Sequence, residues 1–157
     1  MPNKTNPYRY PIHIDKNGRW FHEGSEIKRP AMVRLFASVL KKDEKGRYWL
    51  KTPAEEGLID VEDVPYVVVD LEIEGDGPQR NVRLITSLGQ SVELNASHTI
   101  IMKGDIPYIE IKDTLEARIS RSVFYKLADL VEHDIATAPE SRPYGFWSND
   151  VFHIMSS

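Results

Sequence analysis

The feature that most constrains how this chain can fold is a segment that occurs twice. Residues 27–40, Ile-Lys-Arg-Pro-Ala-Met-Val-Arg-Leu-Phe-Ala-Ser-Val-Leu, lie without gaps over residues 119–132, Ile-Ser-Arg-Ser-Val-Phe-Tyr-Lys-Leu-Ala-Asp-Leu-Val-Glu. Ile27, Arg29 and Leu35 meet Ile119, Arg121 and Leu127, and Arg34 meets Lys126. A repeat of this kind fixes architecture before any single residue does, because each copy must be one folding module with a face to bury. It predicts two related modules, 1–60 and 61–157, with a seam between them where a ligand would most naturally sit.

Each module reads as antiparallel strands, one helix and a closing strand, an α+β plan. In the first, residues 11–22 form a hairpin: Ile12 and Ile14 alternate, Asn17-Gly18 turns the chain, and Arg19–His22 returns. Pro30 suits the first turn of a helix, where its missing N–H costs nothing. Met32, Leu35, Phe36 and Val39 follow as one apolar stripe, and Arg47–Lys51 makes a strand. The acidic stretch 54–65 is expected to connect the modules, with a short strand at Leu58–Val61.

In the second module, Tyr66–Ile73 is rich in β-branched residues and reads as a central strand. Asn81–Thr86, Ser91–Leu94, Thr99–Met102 and Tyr108–Ile111 read as further strands around it. Ser120 is placed to cap a second helix, with the stripe Phe124, Leu127, Ala128 and Val131 expected to face the core. Phe146-Trp147 and Val151–Ile154 close the module.

Charge is unevenly spread. Residues 1–53 carry 12 Lys/Arg and 5 Asp/Glu, whereas residues 54–157 carry 8 and 19. The net charge of −4 argues against binding to duplex nucleic acid, which takes many neutralised phosphates. A small anion needs only two or three cations. No apolar run approaches the roughly 20 residues of a membrane span. The N-terminus lacks the apolar core of a secretory signal, and the chain has no cysteine. Both point to a cytoplasmic protein.

Arg29 and Arg121 are the first candidates for a site. Both fall in the opening turn of a predicted helix, where the macrodipole disfavours a cation by about 0.3–1 kcal/mol. A position that bears this cost twice has an anion nearby. That anion is either a carboxylate of the same module (Glu26, Glu116 or Asp113) or a bound ligand shared with free helix N–H groups. Arg118, pointing away from Ile119 if the segment is extended, adds a third cation. Trp20 and Tyr108 are the candidate stacking faces. The five histidines show no metal-ligand spacing, although His13 and His22 could meet across the hairpin. Neither a metal nor a cofactor is expected. No catalytic motif is present, so the reading leans away from an enzyme.

Several runs carry a family resemblance: Pro11-Ile12-x-Ile14, Gly18-x-Trp20, Ile27-x-Arg29, Leu35–Leu40, Gly46-Arg47-Tyr48, Thr52-Pro53, Val61-x-Asp63-x-Pro65 and, most specific, Leu115–Arg121. Together they resemble the bacterial family called domain of unknown function 1285, over nearly the whole chain. Gly145-Phe146-Trp147-Ser148 fits the same pattern, with Asn149-Asp150 in place of smaller residues. The resemblance implies a duplicated α+β core whose C-terminal module is similar to a pleckstrin-homology fold. It also implies a site at the module interface for a nucleotide-like ligand, with a signalling role. The function expected is therefore binding of a small anionic ligand by Arg29, Arg121, Arg118, Trp20 and Tyr108. The alternative is a protein- or peptide-interaction module that uses an exposed sheet edge.

Overall fold

The computed structural model describes residues 7–141 and 143–156. The chain divides into two compact units. One comprises the described residues up to Pro65 with Lys112–Leu115; the other comprises Tyr66–Ile111 and the described residues from Glu116 onward.

The first unit is a six-stranded sheet with one helix. Its elements are β1 (Arg9–Ile14), β2 (Trp20–His22), β3 (Ser25–Glu26), α1 (Pro30–Ser38), β4 (Leu40–Lys42), β5 (Tyr48–Lys51) and β6 (Glu56–Val61). The spatial order is β3-β2-β1-β6-β5-β4. The predicted hairpin is present, with Ile14 opposite Trp20. Segment 54–65 is more than a connector: the strand expected at Leu58–Val61 is present within β6, a central strand parallel to β1 and antiparallel to β5. Its acidic look misled because Asp60 is an outward residue, paired with Arg9.

Two of this unit's turns are built alike. In Asp15-Lys16-Asn17-Gly18-Arg19 and Asp43-Glu44-Lys45-Gly46-Arg47, the glycine takes a left-handed φ of +78° and +79°. The glycine N–H donates to the aspartate carbonyl at 3.0 Å in both. The aspartate carboxylate accepts from the arginine N–H at 2.9 Å in both, and from its Nε at 2.9 and 2.8 Å. A tight turn of this shape needs a residue tolerant of positive φ and an acceptor at its first position.

Ile12, Ile14, Trp20, Leu40, Trp49, Leu50, Leu58 and Ile59 supply the sheet's buried side chains, and Val33 and Ala37 those of α1. Each large apolar side chain so buried contributes about 1.5–3 kcal/mol. The expected stripe Met32–Leu35–Phe36–Val39 is therefore not the helix's core face. Leu35 is 64% exposed and Met32 is also exposed.

The second unit repeats the sheet. It contains β7 (Tyr66–Glu74), β8 (Asn81–Thr86), β9 (Ser91–Glu93), β10 (Ile101–Lys103), β11 (Ile106–Lys112), β12 (Leu115–Ile119), α2 (Arg121–Asp134), β13 (Gly145–Ser148) and β14 (Val151–Ile154). Read from its β9 edge, the order is β9-β8-β7-β12-β11-β10, with β7 and β12 parallel at the centre. This is the first sheet's order with every number raised by six. The duplication thus lies in the sheets. The helices enter at different points, α1 between the third and fourth strands and α2 after the sixth. The overlay of residues 27–40 on 119–132 consequently matches two amphipathic helices that hold different places in the repeat.

In α2 the buried residues are Val123, Leu127, Leu130 and Asp134, a stripe one residue out of phase with the expected one. The helix packs on β7 and β13. β13 and β14 form a hairpin whose two turn residues, Asn149 and Asp150, have φ of +50° and +62°. That is a type I′ turn, which asparagine and aspartate tolerate better than most residues. The Asn149 Nδ2 donates to the Asn81 Oδ1 at 3.0 Å and the Leu94 carbonyl at 2.8 Å. The larger residues at this corner therefore have defined partners.

Candidate functional site

The start of α2 gathers the strongest of the expected features. Alternation along β12 buries Leu115, Ala117 and Ile119 and turns Glu116 and Arg118 to the other face. Ser120 then breaks the strand with φ −65° and ψ 159°, and Arg121 opens the helix. The Ser120 hydroxyl lies 3.4 Å from the Ser122 hydroxyl, and no side chain caps the helix among the described residues. The first-turn N–H groups are thus available to an anion.

A pocket of about 360 Å³ opens beside this turn, lined by Arg118, Arg121, Phe124, Tyr125, Ile106 and Pro107 among others. Among the described residues Arg121 makes no ion pair. Of the carboxylates foreseen as partners, Glu116 is engaged instead by the Lys103 Nζ at 2.7 Å. The Phe124 and Tyr125 rings lie 6.3 Å apart at 33°, and Tyr125 is 61% exposed. Two guanidiniums, an uncapped helix start and an aromatic wall make a surface for an anion attached to a flat apolar group. Asp105 is the one carboxylate in the lining.

The structure brings Arg118 and Arg121 together and places the other expected residues elsewhere. Arg29 is the exposed N-cap of α1 in the first unit, with φ −91° and ψ 107°. Its carbonyl accepts from the Met32 and Val33 N–H groups, and among the described residues its guanidinium forms no ion pair. Trp20 is 1% exposed, with its ring stacked on Phe36 at 6.2 Å, so it offers no face to a ligand. Tyr108 is 5% exposed, and the Lys103 Nζ sits 4.6 Å from its ring centre.

Sequence reasoning missed Tyr125 and placed Phe124 in the core. The signal was available: Val123, Leu127 and Leu130 fit helical spacing as well as the stripe beginning at Phe124 did. His13 and His22 do not meet. His13 is opposite Phe21 and stacks on it at 4.6 Å, while His22 is opposite Ile12, so the two imidazoles leave opposite faces. Among the described residues no cluster of three or more metal-ligating side chains occurs, and no helix is long and apolar enough to cross a membrane.

At the opposite end of α2 from the site, a buried network on Asp134 fastens the helix to the C-terminal hairpin. The Arg80 guanidinium donates to both Asp134 carboxylate oxygens, and to the Trp147 carbonyl at 3.1 Å. The Trp147 N–H donates to the Asp134 Oδ2 at 2.8 Å. Burial raises the Asp134 pKa, but the hydrogen bonds from Arg80 and Trp147 and the Arg80 charge outweigh it, leaving the carboxyl below its ordinary value.

Comparison with known proteins agrees with this architecture. The family described as "Domain of unknown function (DUF1285), N-terminal domain" matches residues 3–64. "Protein of unknown function (DUF1285), C-terminal domain" matches residues 65–155. A crystal structure of a DUF1285 family protein from Silicibacter pomeroyi DSS-3 is 36% identical with a TM-score of 0.84, over 97% of this chain and 84% of that one. Another, from Shewanella baltica OS155, shares the fold at 24% identity and a TM-score of 0.62, over 76% of this chain and 91% of that one. No curated protein matches. With both family domains matched end to end and a relative at this identity, the chain belongs to the DUF1285 family.

Proposed function

We propose that this chain is a cytoplasmic binding protein that takes a small, nucleotide-like anion in the pocket at the start of α2, in a signalling role. One observation carries the reading: Arg118 and Arg121 line the same pocket as Phe124 and Tyr125, beside a helix start without a side-chain cap. The guanidiniums and first-turn amides bind the anionic group, and the Tyr125 ring lies against the planar part. The cytoplasmic setting rests on a chain without cysteine.

The test is a thermal-shift and calorimetric comparison of nucleoside monophosphates, the matching nucleosides and inorganic phosphate. The monophosphate binds best, because it alone engages both the cations and the ring. Arg121→Gln removes one charged donor and weakens binding by roughly tenfold or more, with the unliganded melting temperature nearly unchanged. Equal binding of nucleoside and monophosphate, or an unaffected Arg121→Gln variant, contradicts the reading.

A further inference from the structure

We infer that the first unit carries a second, independent binding site, for a small amphiphile with an apolar body and a protonated amine. Between α1 and its sheet lies a cavity of about 520 Å³, within the size range of small-molecule sites. Its floor is Ile12 and Leu50, and its helical wall is Met32, Phe36 and Val39. These are residues that the sequence pattern assigned to the core; in the structure the buried face of α1 is Val33 and Ala37, and Met32, Phe36 and Val39 are left partly or largely exposed.

The cavity's shape depends on a glycine. Tyr10 lies across Gly57, where an added Cβ would come 2.6 Å from the Tyr10 ring. The ring therefore occupies the space that a side chain at position 57 would take, and it lines the cavity. The polar groups of the lining are Tyr10, Thr52, Glu55 and the half-exposed His22. The Glu55 carboxylate is hydrogen-bonded to the Tyr10 hydroxyl. Burial, and then that carboxylate, raise the Tyr10 pKa, so the phenol stays protonated as the donor.

Charge decides the class of ligand. The lining contains one carboxylate and no lysine or arginine. An anionic head would meet Glu55 unopposed, whereas an ammonium gains a charge-assisted hydrogen bond to it and the face of Tyr10 beside it. The site differs from the pocket at α2 in position, in sign of charge and in polarity, so each can fail alone.

The experiment uses three probes with one apolar body: 4-phenylbutylamine, 4-phenylbutanol and 4-phenylbutyrate. Binding to the full chain is followed by NMR shifts of the Tyr10, Thr52 and Glu55 amides and by melting temperature. The amine binds in the millimolar range expected of a fragment (Kd about 1 mM), and the carboxylate roughly tenfold or more weaker. Glu55→Gln, an exposed substitution, brings amine and alcohol to equal affinity. Met32→Trp, which fills the cavity, abolishes all three. Absence of amine binding, equal affinity for amine and carboxylate, or an unchanged amine affinity in Glu55→Gln overturns the inference.

Discussion

Replacing Asp134 by alanine should be among the most damaging single changes in the second unit. The Arg80 and Asp134 side chains are only 8% and 7% exposed, so neither charge has water to fall back on. Removal of the carboxylate leaves the guanidinium with the Trp147 carbonyl and deprives the Trp147 N–H of its acceptor. Breaking a buried pair from one side costs about 3–5 kcal/mol, because a charge remains buried and uncompensated. For a chain of this length that is a fall in melting temperature of about 6–20 °C. At a urea m-value near 2 kcal/mol/M, it moves the denaturation midpoint by about 2 M. Tryptophan fluorescence reads the transition, since Trp147 is part of the network. The pair's favourable contribution should be fully present above the ordinary aspartate pKa, about 3.9, and be lost as pH falls through the lower folded value. The double variant Arg80→Met with Asp134→Leu should recover part of the loss, because it removes the uncompensated guanidinium while the Trp147 N–H and carbonyl still lack their partners. A loss below about 1 kcal/mol in Asp134→Ala, or a double variant as unstable as the single, would refute this account of the pair.

His153 is 1% exposed and stacks on Phe146 at 5.5 Å, and burial holds its imidazole below the ordinary value. Since the unfolded chain then binds the proton more readily, stability should be complete above about pH 6.5 and decline as pH falls below it. A series of melting temperatures from pH 8 to 5 should show this decline, and His153→Phe should flatten it. At Gly145 an added Cβ would stand 2.3 Å from the His153 carbonyl oxygen and 2.6 Å from the Phe152 ring. Gly145→Ala should cost about 3 kcal/mol, read from urea unfolding. A variant as stable as the parent would mean that β13 and β14 do not pair as described.

Local order was legible in the sequence wherever a turn and an alternation agreed. The hairpin at Asn17-Gly18 and the strands Asn81–Thr86 and Tyr66–Glu74 emerge close to where residue type placed them. Long-range pairing was not legible. Nothing in the composition of Glu56–Val61 says that it lies parallel to Arg9–Ile14, since the two are brought together only by the path of four intervening strands and a helix. Helix faces were legible as to existence but not direction. Both helices carry more apolar residues than one face can hide, so periodicity fitted two stripes, and only packing chose Val33 over Leu35 and Val123 over Phe124. At the candidate site, Arg118 and Arg121 were found because strand alternation and helix position are local properties. The burial of Trp20 and Tyr108 was not legible, because burial is not a local property. Asp134 escaped notice for the same reason, its partner being 54 residues away.

The most direct measurement of the central claim is an NMR titration of the ¹⁵N-labelled chain with a nucleoside monophosphate. The amides of Arg121, Ser122 and Val123 and the ring of Tyr125 should shift together in one saturable process, and Arg121→Gln should weaken it. Shifts confined to other parts of the chain, or a response at these residues that survives the loss of Arg121, would contradict an anion site at the start of α2.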